Sequence, residues 1–479
     1  MRHQQAPAPE ATVIPSKRDP SMTTEFLQSP PVFDLVFTGA TLLGTAAGAD
    51  VAQRDMTLAV RDGSIAYIGN ALPEGAQVRR VVDATGKVLM PGLVNVHTHA
   101  ILSMVRGVAA DAGFAPSYTP GIPKGTQVNP EQARALARLG ALEAMLFGST
   151  LIGDNFVHAD VTTEAMAELG VRLAPSWRIH DVDFAQVAEG RWHYDAAIGS
   201  RTLQAALDLA ARWQGNDRVQ VQLAAHAVDT CSDGFLREIA ALAQQRDMRV
   251  NMHLGQSVVE VERVKARTGR TSTEVLDETG LLTPRLMGGH CIYVTADDIE
   301  RLARAGAHVV HIPKCNATSG RLAPTPDIKR AGINIALATD TQHADMIELM
   351  RWALVTARVQ RGGVDDDWQP RHVFEMATMG GARALGLADR IGTLEIGKRA
   401  DLVMLDFARP HLVPLVNPLG NLVHNGQGRD VRMVVVDGEV LVNDGVPTRV
   451  DLDEVCREAE HACRALWQGV GREYWKPAA

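Results

Sequence analysis

The chain has 479 residues, of which 46% are hydrophobic and 22% charged, and this composition excludes a disordered protein. Its 48 lysine and arginine residues are outnumbered by 56 aspartate and glutamate residues, and the net charge of -8 argues against nucleic-acid binding. No apolar run approaches the roughly 20 residues that a membrane-spanning helix needs. The five dispersed cysteines, none in a CxxC pair, are typical of reduced thiols. We therefore predict a cytoplasmic protein that binds neither nucleic acid nor membrane.

Both ends of the chain carry segments unlike its middle. Residues 1–31 are rich in proline, alanine and glutamine and lack the apolar stretch of a signal peptide, so they predict a mobile tail. Short β-rich runs separated by glycine and aspartate turns fill residues 32–90, and the same pattern returns at residues 391–447. Two such segments can pair, which predicts one small composite β-sandwich domain. Residues 448–479 predict a C-terminal helical segment.

Residues 91–390 alternate strand-like and helix-like runs, which is the pattern of a parallel sheet with crossover helices. The clearest helix covers residues 129–147, with Asn129 as its N-cap, Pro130 as its first residue and Gln132 completing a capping box. The candidate strands are 93–97, 149–155, 171–178, 219–226, 249–253, 285–290, 307–312 and 333–340. Eight strands with intervening helices predict an α/β fold, a (β/α)8 barrel of the TIM type.

Polar residues concentrate at the predicted C-terminal ends of these strands. They are His97, His99, Asp154, His226, His253, His290, His311 and Asp340. A barrel brings such ends to one mouth, where the active site of this fold lies. His97 and His99 are two residues apart in an extended strand, so both imidazoles point to the same side and can bind one ion.

The sequences around these residues resemble the motifs of the amidohydrolase superfamily of metal-dependent hydrolases. MPGLVNVHTHA is similar to its first-strand signature, VNMHLGQS to its fifth-strand motif and GGHCIYVTADDI to its sixth-strand motif. HIPKCNATSGRLAP, ALATD and RIGTLEIGKRADLVMLD resemble later segments in the same order. The resemblance spans residues 34–445. It is nearest to the branch that contains methylthioadenosine/S-adenosylhomocysteine deaminases, triazine hydrolases, and phenylurea and thiocarbamate hydrolases.

The resemblance implies a metal site made of His97, His99, His253 and Asp340. Three imidazoles and a carboxylate suit a divalent first-row ion with an open position for water. The fourth-strand run VQVQLAAH lacks the lysine that bridges two metals in binuclear members of the superfamily, so we predict one ion per chain. Zinc is the first choice, and iron, cobalt and manganese stay open.

The resemblance also implies roles in catalysis. Asp340 is expected to accept a proton from the attacking water and to pass it to the leaving group, and His290 to orient the nucleophile or stabilise an oxyanion. His226 and Gln256 are expected to face the substrate.

The segment 100–128 is long for a loop between a strand and a helix, and it predicts a lid over the mouth. Met104 and Tyr118 from this segment, together with Trp177 from the third strand, are candidates to line the substrate pocket, with packing in the core as the alternative. If they line the pocket, the substrate is apolar or aromatic.

Three functions stay open. Deaminases of this branch carry a glutamate three residues after the fifth-strand histidine, and here that position is Gln256, whose amide cannot ionise to carry protons. Hydrolysis of a non-peptide C–N bond in an amide, urea or carbamate-like small molecule is therefore favoured over deamination of a purine nucleoside or other heterocycle. An inactive copy or a barrel used as a scaffold is disfavoured by the complete set of ligands. The resemblance further implies a homo-oligomer.

Overall fold

A computed structural model describes residues 31–48, 51–112, 121–187, 189–341 and 343–470. The predicted mobile tail lies outside the described residues except for Pro31, and so does the end of the C-terminal segment. Among the helices that are described, none is long and apolar enough to cross a bilayer.

The described chain alternates strands and helices in its middle and has mostly strands towards both ends. The strands are β1 (Val32–Leu42), β2 (Gln53–Arg61), β3 (Ser64–Gly69), β4 (Gln77–Asp83), β5 (Lys87–Pro91), β6 (Leu93–Thr98), β7 (Ser149–Phe156), β8 (Arg172–Leu173), β9 (Ser176–Ile179), β10 (Ala224–Ala225), β11 (Val250–Leu254), β12 (Leu286–His290), β13 (His308–His311), β14 (Ile335–Leu337), β15 (Leu402–Asp406), β16 (Val431–Val436), β17 (Glu439–Asn443) and β18 (Val446–Pro447). The helices are α1 (Ala109–Ala112), α2 (Pro130–Leu146), α3 (Ala159–Ala167), α4 (Phe184–Val187), α5 (Ala196–Arg212), α6 (Asp233–Gln245), α7 (Val258–Thr268), α8 (Ser272–Thr279), α9 (Ala296–Ala305), α10 (Pro313–Thr318), α11 (Thr325–Arg330), α12 (Met346–Arg361), α13 (Pro370–Ala377), α14 (Met379–Leu385), α15 (Pro418–Asn425) and α16 (Leu452–Val470).

The middle of the chain forms the predicted barrel. Strands β6 to β10 make one curved parallel sheet and β11 to β14 make another. Parallel bridges between Leu223 and Val250 and between Thr98 and Asp340 join the two sheets at both seams and close the ring. The (β/α)8 prediction is therefore confirmed, with the third predicted strand divided into β8 and β9 and the fourth reduced to β10.

Helix α2 begins as its sequence predicts. Oδ1 of Asn129 accepts the backbone N–H of Gln132 at 2.9 Å, and Oε1 of Gln132 accepts the backbone N–H of Asn129 at 3.0 Å. This capping box satisfies two backbone donors at the first turn, where no helical acceptor exists. Helix α16 packs against α2 through an apolar stripe of Val455, Ala459, Ala462 and Leu466.

Strands from the two ends of the chain form one nine-stranded sheet, as predicted. Its central pairing is antiparallel between β5 and β15, with Leu402 opposite Pro91. The sheet folds over a core to which β1, β2, β3, β5, β15 and β16 all contribute buried apolar side chains.

A buried charge network connects this sheet to the barrel. Arg172 of β8 binds Asp401 through two hydrogen bonds of 2.9 and 3.0 Å and Asp437 through one of 2.7 Å. All three side chains are at most 6% exposed.

Candidate metal centre and active site

Three histidines and one aspartate converge at the C-terminal mouth of the barrel. His97 lies at the end of β6, His99 directly follows β6, His253 lies in β11 and Asp340 follows β14. Their ligand atoms all lie within 4.8 Å of one another, and all four residues are buried. Nε2 of His99 is 3.3 Å from Nε2 of His97, 3.3 Å from Nε2 of His253 and 3.2 Å from Oδ1 of Asp340. The structure therefore brings the four predicted ligands together.

Each imidazole is held by its other nitrogen. Nδ1 of His97 donates to Oδ1 of Asn251 at 2.8 Å, Nδ1 of His99 to the carbonyl of Asn155 and Nδ1 of His253 to the carbonyl of His226 at 2.8 Å. A proton fixed on Nδ1 leaves the lone pair of Nε2 directed into the cluster, which is the arrangement that metal-binding histidines adopt.

The protonation states of His97, His253 and Asp340 are those that favour binding of a divalent metal ion. Burial lowers the pKa of His97 to about 3 and that of His253 well below its usual value, so both rings are neutral at pH 7. Burial opposes ionisation of Asp340, but the hydrogen bond and charge of His99, with the charges of His290 and His97, bring its pKa down to about 2. Three imidazoles and one carboxylate are a donor set that fits Zn²⁺ and other divalent first-row ions.

Asp340 and His290, the two predicted catalytic residues, have left-handed backbone conformations, with φ of +63° and +67°. Such conformations are costly for these residues and are concentrated at functional sites. Oδ1 of Asp340 faces the histidines, while its buried Oδ2 has no hydrogen-bond partner among the described residues. The ring of His290 stacks 5.6 Å from that of His253, and Oδ1 of Asn316 lies 2.9 Å from its Nδ1.

The predicted pocket residues lie at different distances from this cluster. The ring of His226 is 4.9 Å from that of His253, and its Nδ1 lies 2.8 Å from the hydroxyl of Thr230. Gln256 is half-buried in the turn that follows β11.

The roles of Met104, Trp177 and Tyr118 as pocket residues stay predictions. Met104 is buried in the turn that follows His99, and its carbonyl accepts the indole N–H of Trp467 at 2.8 Å. Trp177 is half-buried on β9 and packs against the main hydrophobic core. Tyr118 lies outside the described residues, within the gap from 113 to 120 in the predicted lid.

An arginine that was not predicted from the sequence lies near the cluster. Arg178 of β9 is buried, and its guanidinium carbon lies 4.6 Å from the centre of the Phe184 ring and 5.1 Å from that of Phe156. Phe184 packs edge-on against His226, with ring centres 5.1 Å apart, and Phe156 lies 5.5 Å from His99.

Glu260 was also missed. Its buried carboxylate accepts the backbone N–H groups of Gly255 and Gln256, both at 2.9 Å, and the hydroxyl of Ser272 at 2.8 Å. This carboxylate therefore fixes the turn that carries Gln256. Asp154, another polar residue predicted at a strand end, accepts the backbone N–H of Ala100 at 2.8 Å and stabilises the loop after His99.

Comparisons with known proteins show the family to which the chain belongs. The sequence profile of the amidohydrolase family matches residues 88–441. The 5-methylthioadenosine/S-adenosylhomocysteine deaminase of Desulforudis audaxviator (strain MP104C) is 33% identical over 433 residues, which cover 88% of this chain and 97% of that protein. A 5'-deoxyadenosine deaminase of Methanothermobacter thermautotrophicus is 33% identical over 420 residues, covering 85% and 94% of the two chains.

Solved structures show the same architecture. An adenosine deaminase from Xanthomonas campestris with bound zinc superimposes with a TM-score of 0.82 at 26% identity, covering 92% of this chain and all of that one. An atrazine chlorohydrolase from Arthrobacter aurescens TC1, also complexed with zinc, gives a TM-score of 0.79 at 22% identity, with 90% and 100% of the two chains covered. At this identity the second likeness shows the fold alone.

Proposed function

Because the chain belongs to the amidohydrolase family, we propose that it hydrolyses a non-peptide C–N bond in an amide, urea or carbamate-like small molecule, using one divalent ion. The observation that carries the choice of substrate is Gln256, which stands after the fifth barrel strand where the deaminase motif has a glutamate. We propose zinc as the ion, supported by the donor set and by the zinc in the two solved structures, with iron, cobalt and manganese as alternatives.

In the proposed reaction, different residues would bind the ion, transfer the proton and stabilise the negative charge. His97, His99, His253 and Asp340 would hold the ion, which supplies an activated water and polarises the carbonyl. Oδ2 of Asp340, which has no partner among the described residues, can accept a proton from that water and deliver it to the departing nitrogen. The imidazole of His290, oriented by Asn316, would stabilise negative charge on the carbonyl oxygen.

No carboxylate at the β11 turn compensates for the missing glutamate. Glu260 is the acidic residue nearest in sequence to Gln256, but its two oxygens are engaged by Gly255, Gln256 and Ser272. Among the described residues of this turn, no free carboxyl group is therefore left to protonate a ring nitrogen, which deamination of a heterocycle needs. A carbonyl polarised by an ion does not need that second proton carrier.

The second candidate is deamination of a purine nucleoside or a related heterocycle. The relatives support it, because the two described above are named as deaminases and are 33% identical to this chain. In this case Gln256 would bind the substrate and Asp340 would carry all the protons. Homo-oligomerisation also remains a proposal, which sedimentation velocity can test.

The test is a comparison of substrates with the zinc-loaded wild type and the Gln256→Glu variant. Amides, phenylureas and carbamates are assayed for amine release, and adenosine-type nucleosides for ammonia release, each with a chelated sample as the metal-free control. We expect amine release from the wild type, and no gain on introducing the glutamate. Gln244→Glu, an exposed position on α6, adds the same charge away from the site.

Strong ammonia release by the wild type, or a large gain of it in Gln256→Glu over an inactive parent, would establish the deaminase instead. Full activity in the chelated sample would remove the metal from the proposal.

A further inference from the structure

Glu143 of α2 is a largely buried acid behind the metal ligands, and the proposed reaction does not use it. Its side chain is 19% exposed and forms an ion pair with Arg106. The two residues line a small cavity of about 20 Å³ together with the ligands His99 and Asp340. Burial raises the pKa of Glu143, and the charge of Arg106 opposes this rise. An acid is therefore held, with its counter-ion, next to the segments that carry two of the four ligands.

Arg106 is connected to His99 by one short turn. The turn Ala100–Val105 starts directly after His99, and Arg106 directly follows it. At its start, the backbone N–H of Leu102 donates to the carbonyl of His99 at 2.8 Å. At its end, the backbone N–H of Arg106 donates to the carbonyl of Ser103 at 3.2 Å. The position of the Arg106 side chain therefore affects the backbone of His99 through a hydrogen-bonded turn.

The carboxylate of Glu143 also reaches the segment that follows Asp340. The backbone N–H of Ala344, four residues after Asp340, is a hydrogen-bond donor to this carboxylate. The next residue, Asp345, caps α12, and its Oδ2 accepts the backbone N–H of Gly428 at 2.8 Å. Ala344 and Asp345 thus connect the chain beyond Asp340 to two helices, α2 and α12.

The segments that carry His99 and Asp340 meet at a seam that closes the barrel. The backbone N–H of His99 donates to the carbonyl of Asp340 at 2.9 Å, and the N–H of Asp340 donates to the carbonyl of His97 at 3.1 Å. The ligand atoms Nε2 of His99 and Oδ1 of Asp340 are 3.2 Å apart. Since a metal site requires ligand distances within about 0.2 Å of their preferred values, a small displacement of either segment weakens binding of the ion.

We propose that Glu143 is a positioning residue of the metal centre, which holds the segments after His99 and Asp340 in place through Arg106 and Ala344. The carboxylate acts from outside the set of ligands and does not bind the ion. Its place on α2 suits this role, because a helix of 17 residues with a buried apolar face is a rigid support. The inference concerns the binding of the ion and goes beyond the proposed function, whose substrate it leaves open.

The test measures the metal centre without catalysis. Competition with a chromogenic chelator gives the zinc affinity, and the visible absorption spectrum of the cobalt-substituted protein reports the geometry of the ligands. Glu143→Gln keeps the shape of the side chain and removes its charge. We expect it to weaken zinc binding by about 2–30-fold, the usual range for residues that act on a site through other residues. The cobalt spectrum should shift as well.

Arg106→Met removes the other partner of the ion pair, and it decides the question if Glu143→Gln does not fold. It should weaken zinc binding in the same way, whereas Arg106→Lys should keep most of the affinity. The double variant should lose less than the product of the two single losses, because both changes act through one contact. Glu168→Gln removes an ion pair with Arg134, near the other end of α2, and is the matched control, which should bind zinc like the wild type.

A zinc affinity and a cobalt spectrum equal to those of the wild type in Glu143→Gln and Arg106→Met would overturn the inference. A loss of thermal stability in the metal-free variants with an unchanged zinc affinity would overturn it too, because the ion pair would then stabilise the fold alone. Both results leave the proposed function intact. Absence of hydrolysis across the substrate panel would remove that function without altering the zinc measurements.

Discussion

Oδ1 of Asn251 lies 2.8 Å from Nδ1 of His97, in the buried interior of the barrel. The orientation of this amide is fixed, because Nδ2 of Asn251 donates to the carbonyl of Val96 at 3.1 Å. Oδ1 must therefore accept the proton on Nδ1 of His97, and Nε2 is left to bind the ion. The asparagine sets the tautomer of the ligand without touching the metal.

Asn251→Ala should weaken zinc binding by about 10–100-fold, the usual cost of losing a partner of a ligand. Competition with a chromogenic chelator measures this affinity directly. Asn334→Ala is the matched control, since it removes a contact between an asparagine and a histidine, His308, outside the metal cluster. Equal zinc affinities in the two variants would show that Asn251 does not orient His97.

Asp340→Asn should lower turnover by about 10²–10⁴-fold, the contribution of a proton carrier, because an amide cannot accept the proton from water. Steady-state kinetics on the best substrate of the panel measure it, with circular dichroism as the check on folding. Asp444→Asn, whose side chain is 85% exposed, serves as the control and should turn over normally. A folded Asp340→Asn enzyme with normal turnover would exclude the aspartate as the proton carrier.

Arg172→Met should reduce the free energy of unfolding by about 3–5 kcal/mol, because it leaves the buried carboxylate of Asp401 without its cation and removes one of the cations that Asp437 binds. Urea denaturation followed by circular dichroism measures the loss. Arg212→Met removes an exposed ion pair with Glu164 and should cost less than about 1 kcal/mol. A loss that small in Arg172→Met would mean that the network adds little to stability.

The same network predicts a loss of stability in acid. Burial alone would raise the pKa of Asp437, but Arg172 and Arg399 outweigh it and lower the pKa below 3.8. The unfolded chain therefore takes up the proton first, so the contribution of Asp437 is complete above about pH 4 and disappears as the pH falls through the folded-state pKa. Urea midpoints between pH 7 and pH 3 should fall more steeply for the wild type than for Asp437→Asn. Parallel profiles would contradict this assignment.

The ligand cluster was predicted from the resemblance of its motifs to the amidohydrolase superfamily, and the places of these residues at strand ends agreed with it. His97, His99, His253 and Asp340 each follow an apolar run, and a closed barrel brings such ends together. Asn251 was within reach of the same reasoning, since it lies two residues before His253 and thus on the same face of β11.

Other features depend on contacts between distant segments. The strand predicted at 171–178 is interrupted at Pro175, which has no N–H for the ladder, and this divides it into β8 and β9. Arg178 looked like an ordinary charge in a strand, because its neighbours Phe156 and Phe184 come from other elements. The sequence therefore predicted an apolar pocket and did not single out Arg178.

The pairing of β5 with β15 joins residues more than 300 positions apart in the chain, since Pro91 faces Leu402. During synthesis, β1 to β5 emerge long before β15, and one edge of β5 stays exposed until the whole barrel has been made. An open strand edge is a site for pairing with other chains. Such distant contacts also slow folding. The refolding yield should therefore fall as the protein concentration rises, because the unpaired edge of β5 can pair with a strand of another chain.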